Sequence, residues 1–425
     1  MGDRRLAATL FASRVVAGIF GALGDPLARL VRDTGSADPY PIYESIRARG
    51  VLVPSRLGPL MTASHPLANS VLRDARFGVM PNSEMTGLDL DLRGHGPLPV
   101  VDPIEGSFLM RNPPDHTRLR RLAAPSFSPR ALREQTEIVE SVVAGFLDEL
   151  AERPSFDLVT DFAARVPIKV ICGLLGASDA EHARMMDWGT TLAGAIDGVR
   201  TMRQVHTLRR TLVELNEFLT EVAEDHRARP REDVVSHLLA DPDLSREDLL
   251  ATSGLLLAAG FETTVNLIGN GVLALLANPE AKRRLIEDPD CAPNVVEEVL
   301  RLDPPAQFSG RTALEPVELA GRVVPKGTPV ILLLAAANRD PEVFADPHRF
   351  DIDRPNAKDH LAFSSGIHYC LGASLARMEG AIALRALFTR LPGLRLVGPV
   401  RRRPSRAIRG PLRMPVTART RSTVA

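Results

Sequence analysis

The chain has 425 residues, of which 44% are hydrophobic and 24% charged, and its Lys+Arg and Asp+Glu counts balance at 52 each for a formal charge of +0. There is ample apolar material for a large core and no long linker divides it, so we expect one domain over residues 1–425, with 1–33 as a lead segment. The charge balance disfavours nucleic acid as a partner, and the one basic run, Arg401-Arg402-Arg403, reads as a solvated turn.

Arg4 and Arg5 precede apolar stretches at 6–12 and 15–23, which Arg14 interrupts. Neither stretch approaches the ~20 residues that cross a bilayer, and an early arginine spoils a signal-peptide core. The expectation is an amphipathic lead helix packed on the body, without a membrane span. Cys172, Cys291 and Cys370 are far apart and form no C-x-x-C pair, which argues against zinc, an iron–sulfur cluster or a disulfide framework. A reducing cytoplasm fits best.

Residues 39–49 read as a helix ending at Gly50, and 51–55 and 60–63 flank a Leu57-Gly58-Pro59 turn as a hairpin. From 78 to 112 the periodicity breaks down into Pro, Gly and scattered apolar residues, which suits a flap over a lipophilic ligand, with disorder as the rival reading. Paired prolines at 113 and 114 then open a helix on which His116 and Arg120 share a face. Two cationic donors so placed suit bound carboxylates, although the local sequence alone favours a solvated basic face. Residues 130–240 are mostly amphipathic helix, with clear periodicity at 138–150, 162–175 and 208–222 and an expected corner at 188–200.

Ser245-Arg246-Glu247-Asp248 reads as a capping box opening a helix that runs to Ala277, roughly 50 Å at 1.5 Å per residue. Its middle sets Gly260, Thr263 and Thr264 in an apolar run, where glycine loosens the backbone and threonine competes for the carbonyl four residues back. A local opening there makes a polar notch; a buried kink with Glu262 in a salt bridge is the alternative. Gly269-Asn270-Gly271 imitates a dinucleotide fingerprint but follows no strand. Glu298 and Arg301 stand at i, i+3, close enough to pair. Residues 306–312, 321–329 and 330–334 read as strand and turn, 394–397 and 412–418 as a small C-terminal sheet, and the turn Arg409-Gly410-Pro411 is placed to reach back into a pocket.

The chain's most informative stretch is Phe363-Ser364-Ser365-Gly366-Ile367-His368-Tyr369-Cys370-Leu371-Gly372. Gly366 and Gly372 let backbone approach a flat object and aim amide N–H groups at the sulfur, lowering its pKa, and the run 371–379 reads as a helix whose N-terminus favours a negative sulfur. That suits a thiolate bound to iron. A lone cysteine beside a glycine is more often a small buried hydrophobe, so the whole pattern carries the reading.

These ten residues resemble the haem-ligand loop of the cytochrome P450 family, Phe-x-x-Gly-x-His-x-Cys-x-Gly, with one departure: Ser364 stands where the family commonly has glycine. Three further motifs resemble the same family in the same order. The resemblance implies a mainly α fold with a minor β region, a helical prism enclosing haem b (iron protoporphyrin IX). It makes Cys370 the iron ligand, with Phe363, Gly366, His368 and Gly372 shaping its loop. His116, Arg120 and Arg311 become propionate donors, and Ala259-Gly260-Phe261-Glu262-Thr263 an oxygen groove in which Glu262 is the acid and Thr263 the hydroxyl of proton delivery. Glu298 and Arg301 become a buried structural pair completed by Arg349, with Arg354 as the fallback.

The activity it implies is oxygen insertion into a lipophilic polyketide, terpenoid, steroid or fatty acid. Electrons would come from a ferredoxin or flavodoxin with an NAD(P)H-dependent reductase, docking on a monomer near Cys370 through Arg118 and Arg121. A peroxygenase or rearrangement enzyme, and a haem-based sensor, are the competing readings; an intact Glu262-Thr263 pair speaks against both.

Overall fold

The computed structural model describes residues 3–32, 38–80 and 100–418. Its organising element is the helix Arg246–Ala277, 32 residues without a break. Ser245 caps it by accepting from the Asp248 N–H at 3.0 Å. The reciprocal half of the expected capping box is absent: the Asp248 carboxylate instead pairs with Arg111 and Arg118 at 3.0 and 2.7 Å. A helix apolar on all sides belongs inside a protein, and here the helices Ala292–Leu302, Ala373–Arg390, Arg165–Leu174 and His182–Ile196 surround it. Close approach is set by small residues: a Cβ on Gly271 would meet Leu384 at 2.7 Å, and one on Gly380 would meet Leu267 at 3.1 Å. Packing therefore accounts for the apparent nucleotide fingerprint.

The β structure lies to one side. A five-stranded sheet runs in the order Val53–Pro54, Leu60–Thr62, Pro329–Leu332, Ser309–Ala313, Phe77–Gly78, with one parallel pairing, Leu60 to Val330. Pro415–Thr417 pairs with both Phe156–Asp157 and Arg395–Leu396, and Arg401–Arg402 forms a hairpin with Pro411–Arg413. Alternation along Pro329–Leu332 buries Val330 and Leu332 in a core shared with Phe77 and Ala313.

Three expectations shift. Trp188 lies within the helix His182–Ile196, so the corner falls at 197–201, where Thr201 and Gln204 form a capping box for Met202–Ala228. The two N-terminal apolar stretches are one helix, Asp3–Ala22, because exposed Arg14 interrupts the pattern and not the backbone. By length and composition that helix is long and apolar enough to cross a membrane; it buries only Leu6, Leu10, Ala17 and Gly21 and exposes Phe11, Val15, Val16 and Ile19. Most of the expected flap, residues 81–99, lies outside the described residues.

Candidate active site

The cysteine loop is held by its own backbone. The Cys370 N–H donates to the Phe363 carbonyl at 2.9 Å, closing the turn before the helix Ala373–Arg390, whose N-cap is Gly372. Two positions in the loop have left-handed backbone, Ser364 at φ 63° and Gly366 at φ 69°. Gly366 is required twice over, since a Cβ there would lie 2.3 Å from the Leu72 carbonyl. Phe363 packs beside Tyr369, with the Arg377 guanidinium over its ring at 4.5 Å. Cys370 is accessible by surface area, yet enough protein surrounds its sulfur that burial pushes the thiol up, against the Gly372 N–H, Arg120 and Arg377, which pull it down. The sequence led us to expect a depressed pKa; among the protein's own groups, burial outweighs the donors that would lower it.

Beside this loop four cationic or basic side chains converge. The His116 and His368 rings lie 4.3 Å apart, and among the described residues neither nitrogen of His116 nor Nε2 of His368 has a hydrogen-bond partner. Desolvation, then Arg311, His116 and Arg120, push His368 down to about 3. Desolvation likewise pushes Arg311 down to about 10; its Nη1 reaches Ser309 Oγ and the Gly310 carbonyl while Nη2 is buried without a partner. Arg120 donates to the Tyr369 carbonyl at 2.6 Å. Buried donors without acceptors are costly, so this cluster is built to receive anionic oxygens from a bound group.

On the long helix, every residue from Asp248 to Val272 is buried except Ala259, Gly260 and Thr263. The expected local opening is absent from the backbone. Thr263 Oγ1 donates to the Ala259 carbonyl at 2.6 Å and Thr264 Oγ1 to the Gly260 carbonyl at 3.1 Å. The notch therefore arises from small side chains in an intact helix. Glu262 turns the other way: its Oε1 accepts from Arg403 at 2.6 Å and from Asn266 at 3.4 Å, and burial raises its pKa against both. The run Arg401-Arg402-Arg403 is accordingly no solvated turn, since Arg402 and Arg403 are only partly exposed and line a cavity.

Glu298 and Arg301 are fully buried and bidentate, at 2.7 and 2.8 Å. Arg301 also binds the carbonyls of Asn338, Pro347 and Arg349. The completing side chain is Arg354, whose Nε lies 3.3 Å from Glu298 Oε1. Arg349 does not fill that place: it is exposed and offers only its carbonyl, to Arg301 and Arg354. Arg118 is similarly committed, to Asp248 and Asp241, whereas Arg121 is exposed.

Residues 198–391 match the family model described as Cytochrome P450. The protein described as "Putative cytochrome P450 140" of Mycobacterium tuberculosis is 40% identical over 418 residues, covering 95% of this chain and 94% of that protein. The chain belongs to the cytochrome P450 family. This P450 is also 35% identical to the 6-deoxyerythronolide B hydroxylase of Saccharopolyspora erythraea, over 86% of the chain and 92% of that protein. Its fold superposes on P450BioI, solved with a hexadec-9Z-enoic acid-ligated acyl carrier protein, with a TM-score of 0.83 at 34% identity, covering 89% of this chain and 98% of that one. It is therefore a mainly helical P450 monooxygenase, and the family's haem-thiolate cofactor fits the donors present. One thiol sits in a closed backbone loop, His116, His368 Nε2 and Arg311 Nη2 lack hydrogen-bond partners among the described residues, and a strip of small residues interrupts an otherwise buried helix.

Sequence reasoning missed two residues in this P450. Arg403 was hidden in a charge run. Glu379 lies in the helix after the cysteine loop; it is buried against Thr264, and burial pushes it up to about 8 despite that hydrogen bond. Helical spacing from Leu375, Ile382 and Ala383 was the available signal for Glu379, since it places the carboxyl on the buried face of the helix.

Proposed function

We propose that this P450 inserts one oxygen atom of O2 into a C–H or C=C bond of a lipophilic small molecule of polyketide, terpenoid, steroid or fatty-acid type. Its haem is haem b on Cys370, and its electrons come from a ferredoxin or flavodoxin with an NAD(P)H-dependent reductase. The observation that carries this is the strip Ala259, Gly260 and Thr263, the accessible part of the long helix between Asp248 and Val272. A cavity of about 1590 Å³ extends from Arg311, Ser364 and His368 past Leu192, Leu208 and Phe308, so charged and apolar walls share one space.

When bound, the haem supplies activation of dioxygen, with the cysteine thiolate pushing electron density onto iron. The chain supplies position and protons. His116, Arg120, Arg311 and His368 orient the propionates. Thr263 Oγ1, its own proton engaged by the Ala259 carbonyl, presents lone pairs that order a proton-bearing water beside the reacting oxygen. Glu262 Oε1 is the proton store behind it. Arg403 opposes the burial that raises the pKa of this carboxyl, and release from that guanidinium shifts it further towards its protonated form. Glu298, Arg301 and Arg354 fix the segment leading to the cysteine loop. Arg121, exposed on the helix Asp115–Ala123, is the available cation for a redox partner on this side.

The test is turnover under ¹⁸O2 with a ferredoxin, its reductase and a lipophilic panel including tetradecanoic acid and a macrolide aglycone. One labelled oxygen per product molecule is expected. Unlabelled product, or product formed from hydrogen peroxide alone with none from reductant and O2, contradicts the reading.

A further inference from the structure

The hairpin 401–413 is clamped to one face of the long helix. Arg403 binds Glu262, a Cβ on Gly410 would lie 2.0 Å from Asn266 Oδ1, and Pro411 packs where a Cβ on Gly269 would meet it at 2.5 Å. Positions 262, 266 and 269 are successive turns of a single helix face. A hairpin so fixed holds Arg402, Arg403, Arg406 and Arg409 at the wall of the cavity.

The carboxylates behind these arginines are largely committed. Glu262 is taken by Arg403 at 2.6 Å. Asp303 Oδ1 accepts from Arg409 Nε at 2.7 Å and from the Tyr40 hydroxyl at 2.8 Å, which leaves Arg402 Nη1 3.7 Å from Oδ2, beyond hydrogen-bond reach. Asp197 Oδ1 accepts the backbone N–H groups of Arg406 and Ala407 at 3.0 and 2.6 Å; the Arg406 guanidinium reaches only the Asp197 carbonyl, and its Nε has no partner. Asp38 also acts on Arg402 and Arg409, and Arg200 on Arg406; among the described residues, Arg402 Nη1 and Arg406 Nε are buried without a hydrogen-bond partner. Desolvation pushes both Arg402 and Arg406 down, as expected of guanidinium groups taken from water without full compensation. Elsewhere the same cavity is lined by Leu27, Leu30, Ile42, Leu192, Leu208 and Phe308.

We propose that Arg402 and Arg406 form the wall that binds the carboxylate of the substrate, and that the substrate is a lipophilic carboxylic acid. The inference rests on the monooxygenase reading of the same cavity and narrows it. Planar guanidinium groups match a carboxylate's two oxygens, and buried guanidinium donors that lack acceptors make a neutral or cationic head group the poorer ligand.

Holoenzyme is titrated with tetradecanoic acid, methyl tetradecanoate, 1-tetradecanol and tetradecyltrimethylammonium, and with lithocholic acid and its methyl ester to cover rigid ring skeletons. Binding is read from the haem optical shift and, independently, by calorimetry. In the wild type at least one acid binds about tenfold or more tighter than its ester, as a charge-assisted hydrogen bond allows. In Arg402→Gln/Arg406→Gln the acid falls to the level of the ester while the ester is unchanged, and Arg402→Lys/Arg406→Lys recovers part of the preference. Equal binding of acid and ester by the wild type overturns the inference without needing any variant to fold, and leaves the lipophilic-substrate reading standing. An acid preference that survives in the glutamine variant also overturns it. If neither acids nor neutral compounds bind, both the inference and the lipophilic-substrate reading fall.

Discussion

Arg403 Nη2 lies 2.6 Å from Glu262 Oε1, joining the C-terminal hairpin to the residue beside Thr263. Both side chains are largely buried, at 15% and 2% exposure, so the link is mechanical as well as electrostatic. Breaking such a pair from one side strands a buried charge, and Arg403→Gln is expected to cost about 3 kcal/mol in denaturant unfolding. Because Arg403 opposes the burial that raises Glu262, the variant also raises that carboxyl's pKa, and carbodiimide labelling of Glu262 should persist to higher pH.

Thr263→Ala removes the one hydroxyl in the accessible strip while leaving Cys370 and the propionate donors untouched. Haem content should be unchanged, but product per reduced cofactor consumed should fall several-fold, with the difference released as hydrogen peroxide. Coupled turnover at the wild-type ratio would remove Thr263 from proton delivery.

Arg354→Ala and Arg349→Ala discriminate between two arginines that look alike in sequence. Arg354 completes a buried carboxylate pair, so its loss is expected to cost about 3 kcal/mol and to lower haem retention. Arg349 contributes a carbonyl that alanine also has, so its loss should stay within about 0.5 kcal/mol. Urea unfolding of the two variants under one set of conditions checks both.

Ser364 holds a left-handed backbone at φ 63° with its hydroxyl buried and unpartnered. Relief of that conformation makes Ser364→Gly about 1 kcal/mol more stable in equilibrium unfolding. Gly366→Ala, two residues on, should do the reverse and lose haem, because its methyl group collides with the Leu72 carbonyl.

Glu379 gives the stability a pH dependence of known sign. Its folded pKa is about 8 against an ordinary 4.5, so between these values the folded state holds a proton that the unfolded state has released. Stability from this group therefore falls as pH rises from about 4.5 to about 8. Glu379→Gln should flatten that part of the profile measured by thermal unfolding in matched buffers.

The legible parts of this chain were those whose chemistry dictates residue type and spacing together. The cysteine loop needs glycine at 366 for backbone reasons, and the long helix needs small residues at 259 and 260 to leave a strip open. What escaped reading depended on the path of the chain in three dimensions. Arg349 and Arg354 are both close in sequence, and the turn around Asp346, at φ 45°, belongs to the path that brings the second of them to Glu298. Arg403 looked solvated because nothing local shows that a hairpin folds onto Glu262, more than a hundred residues away. The N-terminal apolar stretches looked too short to cross a bilayer because Arg14 was taken as a break in them, and an exposed arginine does not end a helix.

The central claim is that the sulfur of Cys370 would hold the haem iron. The optical spectrum of the reduced, carbon monoxide-bound holoenzyme tests it directly. The account predicts the strongly red-shifted main band of thiolate coordination, lost in Cys370→His. A wild-type band at the position typical of histidine coordination, or a protein that takes up no haem on reconstitution, would contradict it.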